Sequence, residues 1–382
     1  MEFLLLGFVL ALLGVLAYFF ILKQKPKVES RKDSAQEAEE ETKEPKASKS
    51  KSKMKPTKKA TPKVKCNTEH RLYKNAFKGF HEPIKDFDIK PGYIGVCCRD
   101  GQVKIFKINN FEDQNFKFIQ GKLEREEPSA VAISVKGDTL VAAGSFDHKI
   151  HYFVLKQEKD KKLLVEINTF SQQHTYAISD LACTPNCIIS SGDDMDTTVN
   201  VWSHSGDILA TYDMKQLKNK RMAISGDFKF FSIATWIGSA KVIEIVSDKK
   251  TGAFSKLSPA MDLSGGSQGL ACVGFRDSNE ALTCCLDGKV KYWNINVRYQ
   301  LKEHPIIISQ SNFHKEVPNC CTISENYIVF GYENKIMIYS KDFMIVDVIE
   351  NAHANEIRKM VVYENYLLTV ASDARVNVWA LP

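Results

Sequence analysis

One stretch of this 382-residue chain matches a motif for a catalytic nucleophile. Residues 265–269 read GGSQG and fit the G-x-S-x-G pattern, in which a serine sits on a sharp turn between a strand and a helix. The segment that follows, Leu270–Phe275, is short and apolar, which predicts a strand rather than a helix. The context that hydrolase chemistry requires is therefore missing, and we expect no catalytic residues here.

Cysteines are the residues best suited to bind a metal, and the chain has ten of them. Six form three adjacent pairs: Cys97 with Cys98, Cys284 with Cys285, and Cys320 with Cys321. Neighbouring residues of a strand point to opposite faces, so the two members of a pair cannot bind one metal. Cys183 and Cys187 lack a second ligand pair at zinc-site spacing. The sequence therefore predicts that the cysteines are small buried residues of the core. It predicts no metal site and no cofactor.

The pattern that organises the chain is a repeat in which an acidic residue stands six positions before an aromatic residue that closes an apolar run. The six acids are Asp100, Asp147, Asp196, Asp287, Glu333 and Asp373, and the aromatic ends are Phe106, Phe153, Trp202, Trp293, Tyr339 and Trp379. A seventh copy, Ser239–Ile245, keeps the apolar spacing without the acid. The copies end 40 to 49 residues apart, which is typical of the blades of a WD40 β-propeller.

Short apolar runs separated by Gly and Asp turns predict strands joined by hairpins. A carboxylate before the third strand suits a tight turn because it can accept hydrogen bonds from local backbone N–H groups. We therefore predict an all-β fold, a seven-bladed propeller over residues 69–382. No fourth strand follows Trp379, so we expect residues 70–78 to pair with blade seven and cover its edge.

The first segment of the chain has the composition of a membrane anchor. Phe3–Leu22 contains twenty uncharged, mostly apolar residues, which as a helix would span roughly 30 Å, the thickness of a bilayer core. A cleaved signal peptide fits less well because no positive residues precede the run and no small-x-small site ends it. Lys23, Lys25 and Lys27 follow the run and place the propeller in the cytosol. We predict an anchor over residues 1–22.

Residues 23–68 are predicted to be a disordered, charged linker because they lack a run of apolar residues and are rich in Lys, Glu, Ser and Pro. Its second half carries nine lysines: Lys46, Lys49, Lys51, Lys53, Lys55, Lys58, Lys59, Lys63 and Lys65. The whole chain has a net charge of +6, so the charges outside residues 46–65 sum to 6 − 9 = −3. Two interpretations remain open: a solvated spacer, or a contact with an anionic membrane, RNA or the ribosome.

Trp236 stands out in the copy that lacks the acid, near the end of the second strand of blade four. A large aromatic residue beside a loop can anchor a protein interface. It can equally fill the space left by the missing carboxylate. The sequence leaves both roles open.

Longer stretches resemble the transducin beta-like protein 2 family, WD40 proteins anchored in the endoplasmic reticulum membrane. The matching stretches are His70–Ile89 (HRLYKNAFKGFHEPIKDFDI), Asp196–Tyr212 (DTTVNVWSHSGDILATY), Lys241–Phe254 (KVIEIVSDKKTGAF) and Asp287–Tyr299 (DGKVKYWNINVRY). The resemblance implies a non-catalytic adaptor associated with stress signalling and translational control. Its partners would be proteins, such as a stress-response kinase or the translation machinery.

Similarity to WD40 blades also implies a hydrogen-bonded set of His, Ser or Thr, the turn acid and Trp. In blade three this set would be His174, Ser190 or Ser191, Asp196 and Trp202. In blade seven it would be His353, Thr369 or Ser372, Asp373 and Trp379. Blade one has His81 and Asp100, but its strand ends in Phe106, which cannot donate a hydrogen bond.

The expected function is therefore that of a single-pass protein of the endoplasmic reticulum membrane, whose cytosolic propeller is a scaffold rather than an enzyme. By analogy with the fold, the binding face would carry the loops that lead into each blade and the tight turns. The alternatives are a nucleotide-exchange factor for a small GTPase, and a tether to RNA or the ribosome through the lysines.

Overall fold

The computed structural model describes residues 65–113, 115–158, 161–193, 195–216, 219–313 and 316–382. The chain divides into two compact units, Met1–Lys59 and Ala60–Pro382, and the described residues belong to the second. The predicted anchor and all of the linker lysines except Lys65 lie outside the described residues. Within the described ranges, no helix is both long enough and apolar enough to cross a membrane.

The described residues form short strands and one turn of 3₁₀ helix (Tyr299–Leu301). The strands are β1 (Tyr73–Phe77), β2 (Ile84–Lys90), β3 (Tyr93–Cys98), β4 (Gln102–Lys107), β5 (Phe118–Lys122), β6 (Pro128–Ile133), β7 (Thr139–Gly144), β8 (Ile150–Glu158), β9 (Lys161–Thr169), β10 (Ile178–Cys183), β11 (Ile188–Gly192), β12 (Thr198–Trp202), β13 (Ile208–Asp213), β14 (Met222–Ile224), β15 (Phe230–Ile233), β16 (Ser239–Ser247), β17 (Phe254–Ser264), β18 (Leu270–Phe275), β19 (Glu280–Cys285), β20 (Lys289–Asn294), β21 (Ile306–Asn312), β22 (Cys320–Ile323), β23 (Tyr327–Tyr332), β24 (Lys335–Ser340), β25 (Ile345–Ile349), β26 (Ile357–Tyr363), β27 (Tyr366–Ala371) and β28 (Val376–Ala380).

In the described part of the chain these strands make seven antiparallel sheets of four strands each. Six sheets use consecutive strands, beginning with β2–β5 as blade one and ending with β22–β25 as blade six. The seventh has the order β1-β28-β27-β26, so it joins the first strand to the last three. The predicted all-β, seven-bladed propeller is confirmed, and the copy without an acid forms blade four.

The strand β1 connects the two ends of the ring. Tyr73 pairs with Trp379, and Phe77 pairs with Val376 in β28 of blade seven. The Phe77 ring is fully buried and lies 5.2 Å from that of Phe106 in blade one. One strand therefore supplies backbone pairing to blade seven and an aromatic side chain to blade one. Cys66 and Asn67, at the end of the expected linker, also bond to blade seven through Ala352 and Asn351.

Burial decreases from the centre of the ring to its rim. All six residues of β18, an innermost strand, are buried, whereas the outermost strand β21 is exposed or half-buried throughout. Inner strands lie between neighbouring blades and are covered on both faces, which explains their continuous apolar sequences. The outer strands are polar, or alternate between apolar and polar residues, because one of their faces is exposed to solvent.

Several innermost strands begin with an irregularity in their pairing. The register shifts between Ile84 and Asp86 in β2, and the same shift recurs in blades two, three, five and seven, just before Ala130, Asp180, Cys272 and Lys359. An extra residue in one strand changes the direction of the following side chain. The shifts therefore place these residues at equivalent positions around the central channel of the ring, which the innermost strands surround.

Candidate functional site

Antiparallel order within each blade determines which loops share a face. The loop that leads into the first strand and the turn between the second and third strands lie at the same end of the sheet. We call the surface that carries these lead-in loops and turns the turn face. Hydrogen bonds join the two kinds of loop: Thr175 N donates to Asp196 at 3.0 Å, and Leu270 N donates to Thr235 O at 2.8 Å.

The repeated acids occupy the turns of this face. Four of them accept a hydrogen bond from the backbone N–H two residues later: Asp100 from Gln102 at 3.2 Å, Asp147 from Lys149 at 2.9 Å, Asp196 from Thr198 at 3.0 Å and Asp287 from Lys289 at 3.1 Å. Glu333 occupies its turn with a positive φ of 39°. These contacts close the turns locally, as expected for short carboxylates.

Blade three contains a continuous hydrogen-bonded chain. Trp202 Nε1 donates to Ser190 Oγ at 2.8 Å, and Ser190 Oγ lies 2.8 Å from His174 Nε2. His174 Nδ1 lies 3.0 Å from Asp196 Oδ2, so a proton on Nδ1 lets the imidazole donate to the acid and accept from the serine. The structure thus selects Ser190 rather than Ser191.

Blade seven repeats the arrangement with a threonine. Trp379 Nε1 donates to Thr369 Oγ1 at 2.9 Å, and Thr369 Oγ1 lies 2.7 Å from His353 Nε2. His353 Nδ1 then meets Asp373 at 2.9 Å. Blade five keeps only the hydrogen bond between the tryptophan and the threonine, in which Trp293 donates to Thr283 at 2.9 Å. The other strand-end aromatics are buried by packing: Phe106, Phe153 and Tyr339.

Blade two uses a histidine that the sequence did not indicate. His151 lies on the third strand, and its ring nitrogens are 3.1 Å from Asp147 and 2.8 Å from Glu166. The sequence pattern looks for a histidine before the blade, so a histidine after the acid gave no signal. In blade one, His81 is exposed.

Hydrogen bonding changes the acidity of two turn acids. Burial acts to raise the pKa of Asp196, but hydrogen bonds from His174 and Thr198 outweigh it and hold that pKa well below its usual value. For Asp287, burial is likewise outweighed by the Ser267 hydroxyl and backbone, which lower its pKa to about 2. Both carboxylates are therefore ionised at neutral pH and stabilise their turns as anions.

A network of four charged residues crosses the central channel. Arg221 Nη1 lies 2.9 Å from Asp86 Oδ1 and 3.8 Å from Asp180 Oδ1, while Lys359 Nζ lies 3.0 Å and 3.9 Å from the same oxygens. Asp86 also accepts a hydrogen bond from Val131 N at 3.1 Å. We call these four charged residues, from blades one, three, four and seven, the channel plug. Two acids and two bases make it neutral.

The two acids of the channel plug differ. Burial acts to raise the pKa of Asp86, but Arg221 and Lys359 outweigh it and leave the pKa below its usual value. At Asp180 burial prevails and raises the pKa, since its cationic partners are farther away. Arg221 lines a cavity of about 600 Å³ at the turn face and another of about 800 Å³ on the opposite side. It therefore stands between the two cavities.

The turn face exposes large apolar side chains over three neighbouring blades. Trp236 is 59% exposed, and it follows the second strand of blade four by three residues, in the turn where other blades carry the acid. The adjacent Ile237, Met195 in the turn of blade three, Phe146 in the turn of blade two and Tyr176 in a lead-in loop are exposed as well. We call these five residues the apolar arc.

The nucleophile-like motif has a structural role. Residues 265–269 join the strands β17 and β18, so no helix follows the serine. Ser267 Oγ donates to Asp287 Oδ2 at 2.8 Å. The hydroxyl therefore closes a lead-in loop onto a turn acid.

Three cysteines from different strands converge, a cluster that the sequence analysis of adjacent pairs did not indicate. Cys272, Cys284 and Cys321 bring their sulfur atoms within 4.8 Å of one another. The alternation argument holds for each adjacent pair, but it does not apply to cysteines on different strands. Hydrogen bonds from Cys272 and Cys284 lower the pKa of the Cys321 thiol to about 6. Burial raises the pKa of the other two thiols well above the usual value.

Comparisons with known proteins agree with this architecture. No protein-family model matches the chain. The WD40 β-propeller domain of Doa1 superimposes with a TM-score of 0.60 at 15% identity, covering 81% of this chain and 97% of that domain.

Two curated relatives match by sequence. Human transducin beta-like protein 2 is 24% identical over 256 residues, which are 65% of this chain and 57% of the relative. The mouse protein is 23% identical over 262 residues, 67% of this chain and 59% of the relative. The match thus spans less than two thirds of the relatives' length. The chain is a WD40 propeller similar to transducin beta-like protein 2, as the resemblance of its repeats predicted.

Proposed function

We propose that this protein is a scaffold that binds protein partners through the turn face of its propeller, with Trp236 as the main anchor. The observation that carries the proposal is the apolar arc, which exposes one indole and four other large apolar side chains on neighbouring blades. Aromatic residues of this kind dominate the binding energy of protein interfaces. Large apolar side chains exposed together on one face of a domain indicate an interaction site.

Hydrogen bonds hold the backbone below the arc. The turns of blades two and three are closed by Asp147 and Asp196, and the turn of blade four is held to the next blade by Leu270 N at 2.8 Å from Thr235 O. A rigid anchor loses little conformational entropy when a partner binds. The arc therefore has the properties of a preorganised docking surface.

Beside the arc lies the mouth of the channel. Its cavity of about 600 Å³ is lined by groups of both signs, including Asp193, Lys220, Arg221 and Glu356. The channel plug closes its floor with no net charge. We infer that a partner combines apolar side chains on the arc with a polar segment at the mouth, giving an apolar centre and a polar rim.

Site-specific photocrosslinking tests which face binds. A photoreactive amino acid is placed in the full-length chain at Trp236 or, as the control, at Met344 between β24 and β25. Met344 is 70% exposed and lies on the opposite face, so both positions are accessible to partners. Crosslinks to other proteins are expected from position 236 and not from 344. Equal crosslinking at both positions, or crosslinks from 344 alone, would refute the proposed face.

The proposed location is the endoplasmic reticulum membrane, with the propeller in the cytosol. It is supported by the uncharged Phe3–Leu22 run and the lysines that follow it. Protease treatment of sealed microsomes should therefore digest the propeller. A propeller that resists digestion until detergent is added would contradict this orientation. A role in stress signalling and translational control is part of the proposal, and it is supported by the family resemblance.

A second candidate partner is RNA or the ribosome. It is favoured by the nine lysines of residues 46–65, a stretch that contains no acid. Contacts between lysines and phosphates release counterions and so weaken steeply with salt. Replacing the nine lysines by Gln should abolish cosedimentation with ribosomes, and binding that persists unchanged would exclude this role.

A further inference from the structure

We propose that Cys272, Cys284 and Cys321 form a binding site for one soft metal ion, Cu(I), held by three sulfur ligands between blades five and six. The three sulfur atoms lie within 4.8 Å of one another. Three ligands around an ion in one plane, at the roughly 2.3 Å of a metal–thiolate bond, would lie about 4.0 Å apart. The sulfurs therefore need to approach by less than about 1 Å.

The strand geometry explains why these cysteines meet. Cys272 in β18 and Cys284 in β19 are direct partners across two antiparallel strands, so their side chains leave the same face of blade five. Cys321 comes from β22 of blade six, and its sulfur lies over Gly274 of β18. A Cβ at Gly274 would be 3.4 Å from that sulfur. The absence of a side chain at Gly274 thus makes room for the third ligand.

The ligand set favours Cu(I) over zinc. Thiolates are soft ligands, which select Cu(I), Zn(II) and iron–sulfur clusters. Structural zinc sites are almost always four-coordinate. Within the described ranges no His, Asp or Glu belongs to this cluster. Zinc would therefore need water as its fourth ligand, whereas Cu(I) is satisfied by three sulfurs.

The site has a route for the ion. Cys272 and Cys321 line the cavity of about 800 Å³ on the side of the channel plug away from the turn face. We infer that an ion enters the cluster from this cavity, which the strands of two of the three ligands line. Binding replaces the protons of the ligating thiols, which pass to solvent, and involves no change of oxidation state.

The test is a Cu(I) titration of the reduced, full-length protein without oxygen, in competition with a coloured Cu(I) chelator. The cluster variants are Cys284→Ser and Cys321→Ser. The controls are Cys285→Ser and Cys320→Ser, which change the adjacent residue on the other side of each strand. Cys320 lines the same cavity as Cys321, although its side chain is more buried. We expect one equivalent of Cu(I), at least about 100-fold weaker binding in the cluster variants, and less than threefold change in the controls.

Two further measurements keep the result independent of folding. Thermal unfolding of each variant shows whether the blade is intact. X-ray absorption of the copper-loaded unmodified protein should show three sulfur neighbours at a single distance. Equal loss of binding in cluster and control variants, two sulfur neighbours only, or tighter binding of Zn(II) than of Cu(I) would overturn the proposal.

Discussion

At the scale of residues, the core of blade three depends on one hydroxyl. Ser190 Oγ accepts from the Trp202 indole at 2.8 Å and lies 2.8 Å from His174 Nε2. Ser190→Ala leaves both buried nitrogens without this partner, and we expect a loss of about 1–3 kcal/mol in the free energy of unfolding. Urea denaturation measures it.

The matched control is Ser191→Ala. Ser191 is equally buried, but its hydroxyl donates to the carbonyl of the next residue, Gly192, rather than joining the chain from Trp202 to His174. The control should lose less stability than Ser190→Ala. A larger loss in Ser191→Ala would contradict the proposed hydrogen-bonded chain.

The sequence narrowed this site to two serines and could not choose between them. Adjacent strand residues face opposite sides, so the choice depends on the register between β11 and β12, in which Ser190 pairs with Asn200. The local sequence of one strand does not determine the register, because the register depends on how two strands pair. His151 was missed for another reason, because the pattern looks for a histidine before the blade and His151 follows its turn acid, Asp147.

The lowered pKa of the turn carboxylates predicts that the stability of the protein decreases at low pH. Asp287 has a folded-state pKa of about 2, and the unfolded value is about 3.9. Its contribution is therefore fully present above about pH 4 and is lost as pH falls through about 2. The urea midpoint of the unmodified protein should fall between pH 5 and pH 2.5, and less in Asp287→Asn. Identical pH profiles would show that the Ser267 contact does not stabilise the turn.

At the scale of elements, β1 should be essential to the closed ring. Phe77 is fully buried, stacks on Phe116 at 3.9 Å and contacts Phe106 edge-on. Phe77→Ala removes this packing, and we expect a loss of about 3–5 kcal/mol. Lys74→Ala in the same strand changes an exposed side chain and should have little effect. If the two variants unfold at the same urea concentration, β1 does not hold the ring closed.

Elements with a repeated local pattern could be predicted from sequence, whereas long-range clusters could not. The motif that ends at Trp202, Trp293 and Trp379 identifies third strands because apolar spacing and a turn acid are local signals. The channel plug joins Arg221 to Asp86, which are 135 residues apart. Its members become neighbours only through ring closure and the register shifts that precede Asp86, Asp180 and Lys359. The cysteine cluster escaped prediction because Cys321 belongs to the next blade, so its approach to Cys272 and Cys284 depends on packing between blades.

At the scale of the whole molecule, the parts that hold the ring together differ from the surface proposed for partner binding. Buried inner strands, the channel plug and β1 hold the ring. The turn face carries the proposed docking surface, including the 59%-exposed Trp236. Solvent exposure of this indole favours the interface role over the filling of space inside blade four. A propeller can thus vary its partners by changing turns while its blades stay the same.

The most direct test of the scaffold proposal is the affinity of Trp236→Ala for a protein crosslinked at the turn face, measured with purified components. Loss of a central aromatic anchor costs about 2 kcal/mol or more, so the Kd should rise about 30-fold. Met344→Ala, on the opposite face, should stay within threefold of the unmodified protein, with both variants unfolding at the normal temperature. An unchanged Kd in Trp236→Ala, or a larger rise in Met344→Ala, would contradict the account.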